Sequence, residues 1–215
     1  YIISTYKLSE DQITTIPRGC DPEIFNKDEL SPLWLNEWHK EYPQTKNKII
    51  LTLPTRISEW KGVDSFIDLI ANLNSNDFHG LVVGPTSKSK EKYLTKLIRK
   101  VSNHNIKDKI TFTGSRNDIA NVYKLSDVVF NLSIKPEPFG RTTIEAIGCG
   151  SKVVGWNHGG TKEILEKLYK DGLVPLNDII QLKETVLKVS KSDYPYPDEN
   201  IYTSKIMIQE TLNLY

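Results

Sequence analysis

Cysteine is scarce in this sequence: Cys20 and Cys149 are the only two in 215 residues, far apart and without paired spacing. That excludes a disulfide framework and suits a reducing cytoplasm. Long apolar runs are missing as well. None approaches the ~18 residues of a membrane-crossing helix, and no signal peptide is legible. Charge of one sign is not in excess: 28 Lys and Arg face 27 Asp and Glu, a net +1 that argues against a dedicated nucleic-acid binder. His39, His79 and His104 have no metal-ligand spacing with one another or with cysteine, so no metal site is expected. The sequence lacks G-x-G-x-x-G, a P-loop and G-x-S-x-G, which disfavours an NAD-dependent dehydrogenase. It opens on Tyr1 instead of Met and reads as a piece of a longer protein.

What is there alternates. Short apolar runs at 12–17, 48–54, 79–84, 109–114, 126–133, 151–156 and 172–176 read as strands. Helical patterns fill the gaps. One starts at Ser31-Pro32, with the hydroxyl as cap and Pro at the first helical position. Others cover 62–73, a basic stretch after 88, about 117–125, the segment after Gly140 and 161–170, and two more close the chain. The runs are apolar throughout instead of alternating, as in strands buried on both faces by covering helices. The expected fold is α/β, a doubly wound, mostly parallel, Rossmann-like sheet in one domain over 1–215. Ligands of such sheets bind beyond the carboxyl ends of the strands, so the residues just after each strand matter most.

Residues 135–150 read KPEPFGRTTIEAIGCG. Pro138 and Gly140 force a tight strand-to-helix turn. It brings the N–H groups of Arg141, Thr142 and Thr143 to a helix N-terminus, where a phosphate is favoured. Glu145 follows roughly 7–8 Å along the axis, which suits an acid bonding a ribose diol. Glu137, in the turn, would face what lies beyond the phosphate, such as a sugar; the blander alternative is a helix cap and a surface acid. In TRISEWKG (55–62), Arg56 directly follows a strand and Lys61 precedes a helix, so both charges point into one crevice. A guanidinium and an ammonium together suit a diphosphate. In WNHGGTKEI (156–164), Gly159 and Gly160 allow close approach to backbone. His158 there would contact a substrate oxygen or serve structure, and Trp156 would be a stacking platform or core. From Lys88 to Lys109, eight basic residues face Glu91 and Asp108. That is a solvated helix face, or one drawn to an anionic membrane surface.

In order, IPRGCDPEIF, TRISEWKG, LVVG, ITFTGSRNDIANVYKLSDVVFNLS, PEPFGRTTIEAIGCGSKVVGWNHGG and KEIL resemble the C-terminal, donor-binding domain of a retaining glycosyltransferase of the GT-B fold, the group 1 or family-four type, over about residues 12–190. PEPFGRTTIEA with HGG looks like the branch that assembles bacterial lipopolysaccharide and other surface polysaccharides.

The resemblance implies roles. Arg56 and Lys61 would bind the donor diphosphate and stabilise its departure, and Glu137 would contact the donor sugar during catalysis. Glu145 would hold the ribose. The backbone of Phe139, Gly140, Arg141, Thr142 and Thr143 would help to hold sugar and phosphate. Thr113 and Gly114 would lie near the base, and His158, Gly159 and Gly160 would border the sugar. The donor would be a UDP-, GDP- or ADP-sugar, with no cofactor and no metal required. The acceptor, a glycan or lipid-linked hydroxyl, would bind an N-terminal domain of about 150–200 residues that is absent here. A helix at about 199–213 would cross back towards that domain. The enzyme would be cytoplasmic, against the inner face of the membrane, and this chain alone inactive. Thr55 departs from the pattern, because many members have glycine there and a Cβ would crowd the pyrophosphate. Alternatives are a nucleotide-sugar epimerase of the same fold and a stand-alone nucleotide-binding module.

Overall fold

The computed structural model describes residues 5–7 and 9–215. Six strands form one sheet: β1 (Ile49–Pro54), β2 (Phe78–Val83), β3 (Ile110–Gly114), β4 (Val128–Asn131), β5 (Lys152–Trp156) and β6 (Leu173–Val174). Their order is β3-β2-β1-β4-β5-β6 and every pairing is parallel. The expected doubly wound α/β sheet is therefore present, parallel throughout. Among the described residues, the helices that connect and cover it are α1 (Pro32–Glu41), α2 (Val63–Leu73), α3 (Glu91–Asn103), α4 (Ile119–Leu125), α5 (Arg141–Gly148), α6 (Gly159–Leu168), α7 (Ile179–Val189) and α8 (Ser204–Leu212).

The unbroken apolar runs became the strands for the reason the pattern suggested. β2, β4 and β5 are buried along their whole length. Polar atoms within the sheet are paired. The Thr52 hydroxyl lies 2.6 Å from that of Ser126, and His79 Nε2 lies 2.8 Å from Thr111 Oγ1. Burial pushes the His79 imidazole down to about 4, so it stays neutral in the core.

Four expectations change. QITTIP is not a strand: a single 3-10 turn at Glu10–Gln12 leads into irregular chain up to an isolated parallel bridge between Cys20 and Thr203. Ser31 makes no capping bond with its side chain, although Pro32 does open α1. β4 is shorter than 126–133, because the Ser126 hydroxyl donates back to the Val122 carbonyl and closes α4. The terminal helix starts at Ser204, not near 199. Asn200 spends its side chain on the Tyr202 N–H and the Ile144 carbonyl, and Thr203 caps the helix through Ile206.

The basic stretch is partly spent on structure. Lys100 bonds Asp68 at 2.8 Å and reaches Asp64 at 3.4 Å, and Lys90 bonds Glu59 at 2.8 Å. Lys88, Lys92, Lys96 and Arg99 remain exposed. Among the described residues, no helix is long and apolar enough to cross a membrane.

Candidate functional site

Strand order reverses between β1 and β4, and a doubly wound sheet opens a crevice at such a point. The segments leaving these two strands, 55–61 and 132–140, enclose a cavity of about 450 Å³. Arg56, Lys61, Glu137, Phe139, Gly140, Arg141 and Thr142 line it. Thr55, where the resemblance has glycine, lines it too.

The crevice is held open by close backbone packing. Gly62 adopts φ +78°, and a Cβ there would fall 2.0 Å from the Leu132 carbonyl oxygen. Only glycine lets the start of α2 sit this close to the end of β4. Ile134 N–H donates to the Trp60 carbonyl at 2.8 Å and ties the two loops together. A Cβ on Gly160 would fall 2.2 Å from the Phe139 carbonyl oxygen, and Gly160 N–H donates to the Glu137 carbonyl at 2.8 Å. Gly159 and Gly160 therefore shape the Pro136–Phe139 turn from behind and do not line the cavity.

Lys61 and Glu137 form an ion pair inside the crevice, each side chain 16% exposed. The Lys61 ammonium also lies 4.1 Å from the centre of the Trp60 ring. Ser133 Oγ donates to Glu137 Oε1 at 2.7 Å. Arg56 is exposed and has no ion-pair partner among the described residues.

Gly140, φ +96°, stands at the N-cap of α5, as the turn chemistry required. Arg141 and Thr142 present N–H groups that precede any helical acceptor. Thr143 does not: it is 1% exposed and its N–H already donates to the Gly140 carbonyl at 3.0 Å, so the expected third phosphate donor is taken. Glu145 is 8% exposed and outside the cavity lining. Arg141 donates to its Oε1 at 3.2 Å and the Tyr123 hydroxyl to its Oε2 at 3.3 Å. Burial holds its carboxyl above the ordinary range, against the pull of Arg141.

His158 is half-buried and fastened. A carbonyl can only accept, so Nε2 carries the proton and donates to the Ser133 carbonyl at 2.8 Å. Trp156 is fully buried, with its indole N–H on the Leu132 carbonyl at 3.0 Å, which makes it core and not a platform. Thr113 and Gly114 end β3, two strands from the crevice, and do not line it. Among the described residues, no cluster of three His, Cys, Asp or Glu side chains could hold a metal ion.

Of the lining residues with no role assigned from sequence, two bear on the charge and hydrogen bonding of the site. Arg18 reaches the cavity, exposed and without an ion-pair partner among the described residues. Its backbone is placed by the next two residues. Cys20 N–H donates to the Tyr202 carbonyl at 3.0 Å, and Gly19 lies so close to Thr203 that a Cβ would fall 2.1 Å from its carbonyl carbon. Ser133 is the other. The signal for Arg18 was a lone arginine before glycine in IPRGC, and that for Ser133 its place just past a strand end.

The sequence model of one family, described as "Glycosyl transferases group 1", matches residues 36–205. The chain is 27% identical over 223 residues to a probable sucrose-phosphate synthase of Thermosipho melanesiensis, covering 99% of this chain and 49% of that protein. A glycosyltransferase structure from Rickettsia africae superposes with a TM-score of 0.83 at 25% identity, over 100% of this chain and 59% of that one. Anabaena Alr3699/HepE, solved in complex with UDP and glucose, superposes with a TM-score of 0.76 at 23% identity, over 92% of this chain and 56% of that one. The chain spans about half the length, or less, of the curated relatives it matches.

Proposed function

The chain belongs to the group 1 glycosyl transferases, and we propose that it is the part of such an enzyme that holds the nucleotide-diphosphate sugar. The observation that carries this reading is the crevice itself. At the switch point of a parallel sheet, Arg18, Arg56, Lys61 and Arg141 surround one acid, Glu137, next to the start of α5. An excess of cations at a helix N-terminus suits a diphosphate, and an acid just beyond it suits sugar hydroxyls. The solved HepE complexes with UDP and with UDP-glucose support a donor of that kind.

In the full enzyme, Arg56, Lys61 and the N–H groups of Arg141 and Thr142 stabilise the charge that builds on the departing diphosphate. These cations supply what a divalent ion would otherwise supply, so the reading invokes no metal. Glu137 orients the sugar for attack by an acceptor hydroxyl from the leaving-group face, with the anomeric configuration retained. Glu145 takes the ribose diol once Arg141, 67% exposed, swings off its carboxylate. The base lies towards Thr113 and Gly114. The acceptor is a glycan or lipid-linked hydroxyl of a cell-surface polymer, with the exposed Lys88, Lys92, Lys96 and Arg99 facing an anionic cytoplasmic membrane surface.

Calorimetric titration of this chain with UDP, GDP and ADP, then with their sugar conjugates, tests the reading. Micromolar to millimolar binding of one nucleotide supports it. Absence of binding both here and in the full-length enzyme refutes it.

A further inference from the structure

We propose that Ser133 is a positioning residue for Glu137: its hydroxyl fixes one carboxylate oxygen so that the other faces the donor sugar. The inference rests on the donor-binding reading above.

Glu137 is bonded asymmetrically. Lys61 Nζ and Ser133 Oγ both donate to Oε1, the latter at 2.7 Å. Oε2 has no hydrogen-bond partner among the described residues, and Glu137 lines the cavity. A carboxylate oxygen held by two donors is directionally fixed, and its twin is left to accept a further hydrogen bond. A sugar hydroxyl can donate that bond.

The two donors on Oε1 differ in how firmly they are placed. Lys61 is a point charge on a flexible stem, and an arriving diphosphate competes for it. Ser133 is 5% exposed and pinned on both sides. Its carbonyl accepts from His158 at the head of α6, and the next residue, Ile134, donates to Trp60 beside Lys61. When the diphosphate draws Lys61 towards itself, Ser133 remains to hold Glu137. The hydroxyl therefore matters for the sugar and not for the diphosphate. His158 acts through the same carbonyl, which gives it a role at one remove from substrate.

The test compares a nucleoside diphosphate with its own sugar conjugate on the same chain. The wild-type arm examines the donor reading: it must bind the diphosphate, and the conjugate more tightly. Ser133→Ala and Ser133→Cys then examine the inference, since cysteine keeps the shape but is a weak donor. Both variants are expected to bind the diphosphate as wild type does and to lose about ten-fold in affinity for the conjugate. Circular dichroism establishes that each variant is folded. Equal loss for both ligands overturns the inference in favour of a structural role. Wild-type behaviour of Ser133→Cys, with loss only in Ser133→Ala, overturns it in favour of packing. Wild-type protein that binds neither ligand, here and in the full-length enzyme, refutes the donor reading, and the inference falls with it.

Discussion

Lys61 and Glu137 neutralise each other inside the crevice between β1 and β4, the ammonium of one on Oε1 of the other. The sequence assigned them to different parts of a ligand, one to phosphate and one to sugar. Their contact means that neither subsite is electrostatically independent of the other. On the donor-binding reading, a ligand that draws Lys61 towards phosphate also changes the charge that faces the sugar.

Lys61→Ala is expected to weaken binding of the nucleoside diphosphate by about 10–100-fold, the worth of a charge-assisted hydrogen bond. It also leaves Glu137 half-buried without its counter-charge, which costs about 1–2 kcal/mol, between the values for exposed and buried pairs. Denaturant midpoints of Lys61→Ala and of Lys61→Met/Glu137→Gln check the second part. The double variant should recover most of the stability and none of the binding.

Arg18→Ala should leave stability within about 0.5 kcal/mol of wild type, since the side chain has no ion-pair partner to lose. Diphosphate affinity should fall about five- to ten-fold, and by a smaller factor at high salt, where exposed charges are screened. Titration of Arg18→Ala and Arg56→Ala at two ionic strengths decides it. Unchanged affinity in both would remove the guanidinium pair from the phosphate site.

Glu145→Ala is expected to abolish discrimination between a ribonucleoside diphosphate and its 2′,3′-dideoxy analogue, measured by competition. Its carboxyl is held above the ordinary 4.5 by burial. The folded state thus binds the proton more tightly than the unfolded state. This contribution to stability is present below about pH 4.5 and is lost as pH rises through the raised value. Glu145→Gln should flatten that part of the stability profile, as followed by thermal unfolding across mildly acidic buffers.

Gly160→Ala places a methyl 2.2 Å from the Phe139 carbonyl oxygen. The turn carrying Glu137 must shift, at a cost of about 1–3 kcal/mol. Melting temperature should drop by several degrees, and conjugate binding should suffer more than diphosphate binding.

Most of the sheet was legible because strands buried on both faces write themselves as unbroken apolar runs, and β1, β2 and β5 do so. QITTIP misled because β-branched residues alone do not make a strand; the segment must also lie alongside a strand it can pair with. This segment instead runs to the crevice mouth and meets the chain again only at Thr203. That Arg56 and Lys61 face one crevice was readable because the first lies just past a strand end and the second beside a glycine. Which carboxylate oxygen is free, and that Thr143 has spent its N–H, depend on side-chain and cap geometry that spacing does not encode. The sequence left His158 open between a substrate contact and a structural role because its partner, the Ser133 carbonyl, belongs to backbone 25 residues away in sequence.

The pairing at the heart of the crevice joins Leu51 to Val128 and Thr52 to Val129, residues brought together from opposite halves of the sheet. Contacts of such separation carry a large loop-closure entropy and are expected to form after the shorter-range pairings. The crevice does not exist in any species in which the two halves have folded but not joined. A ligand of this site therefore recognises only the completed molecule. Its effect on kinetics should fall mainly on the unfolding rate, leaving the rate of folding nearly as it was.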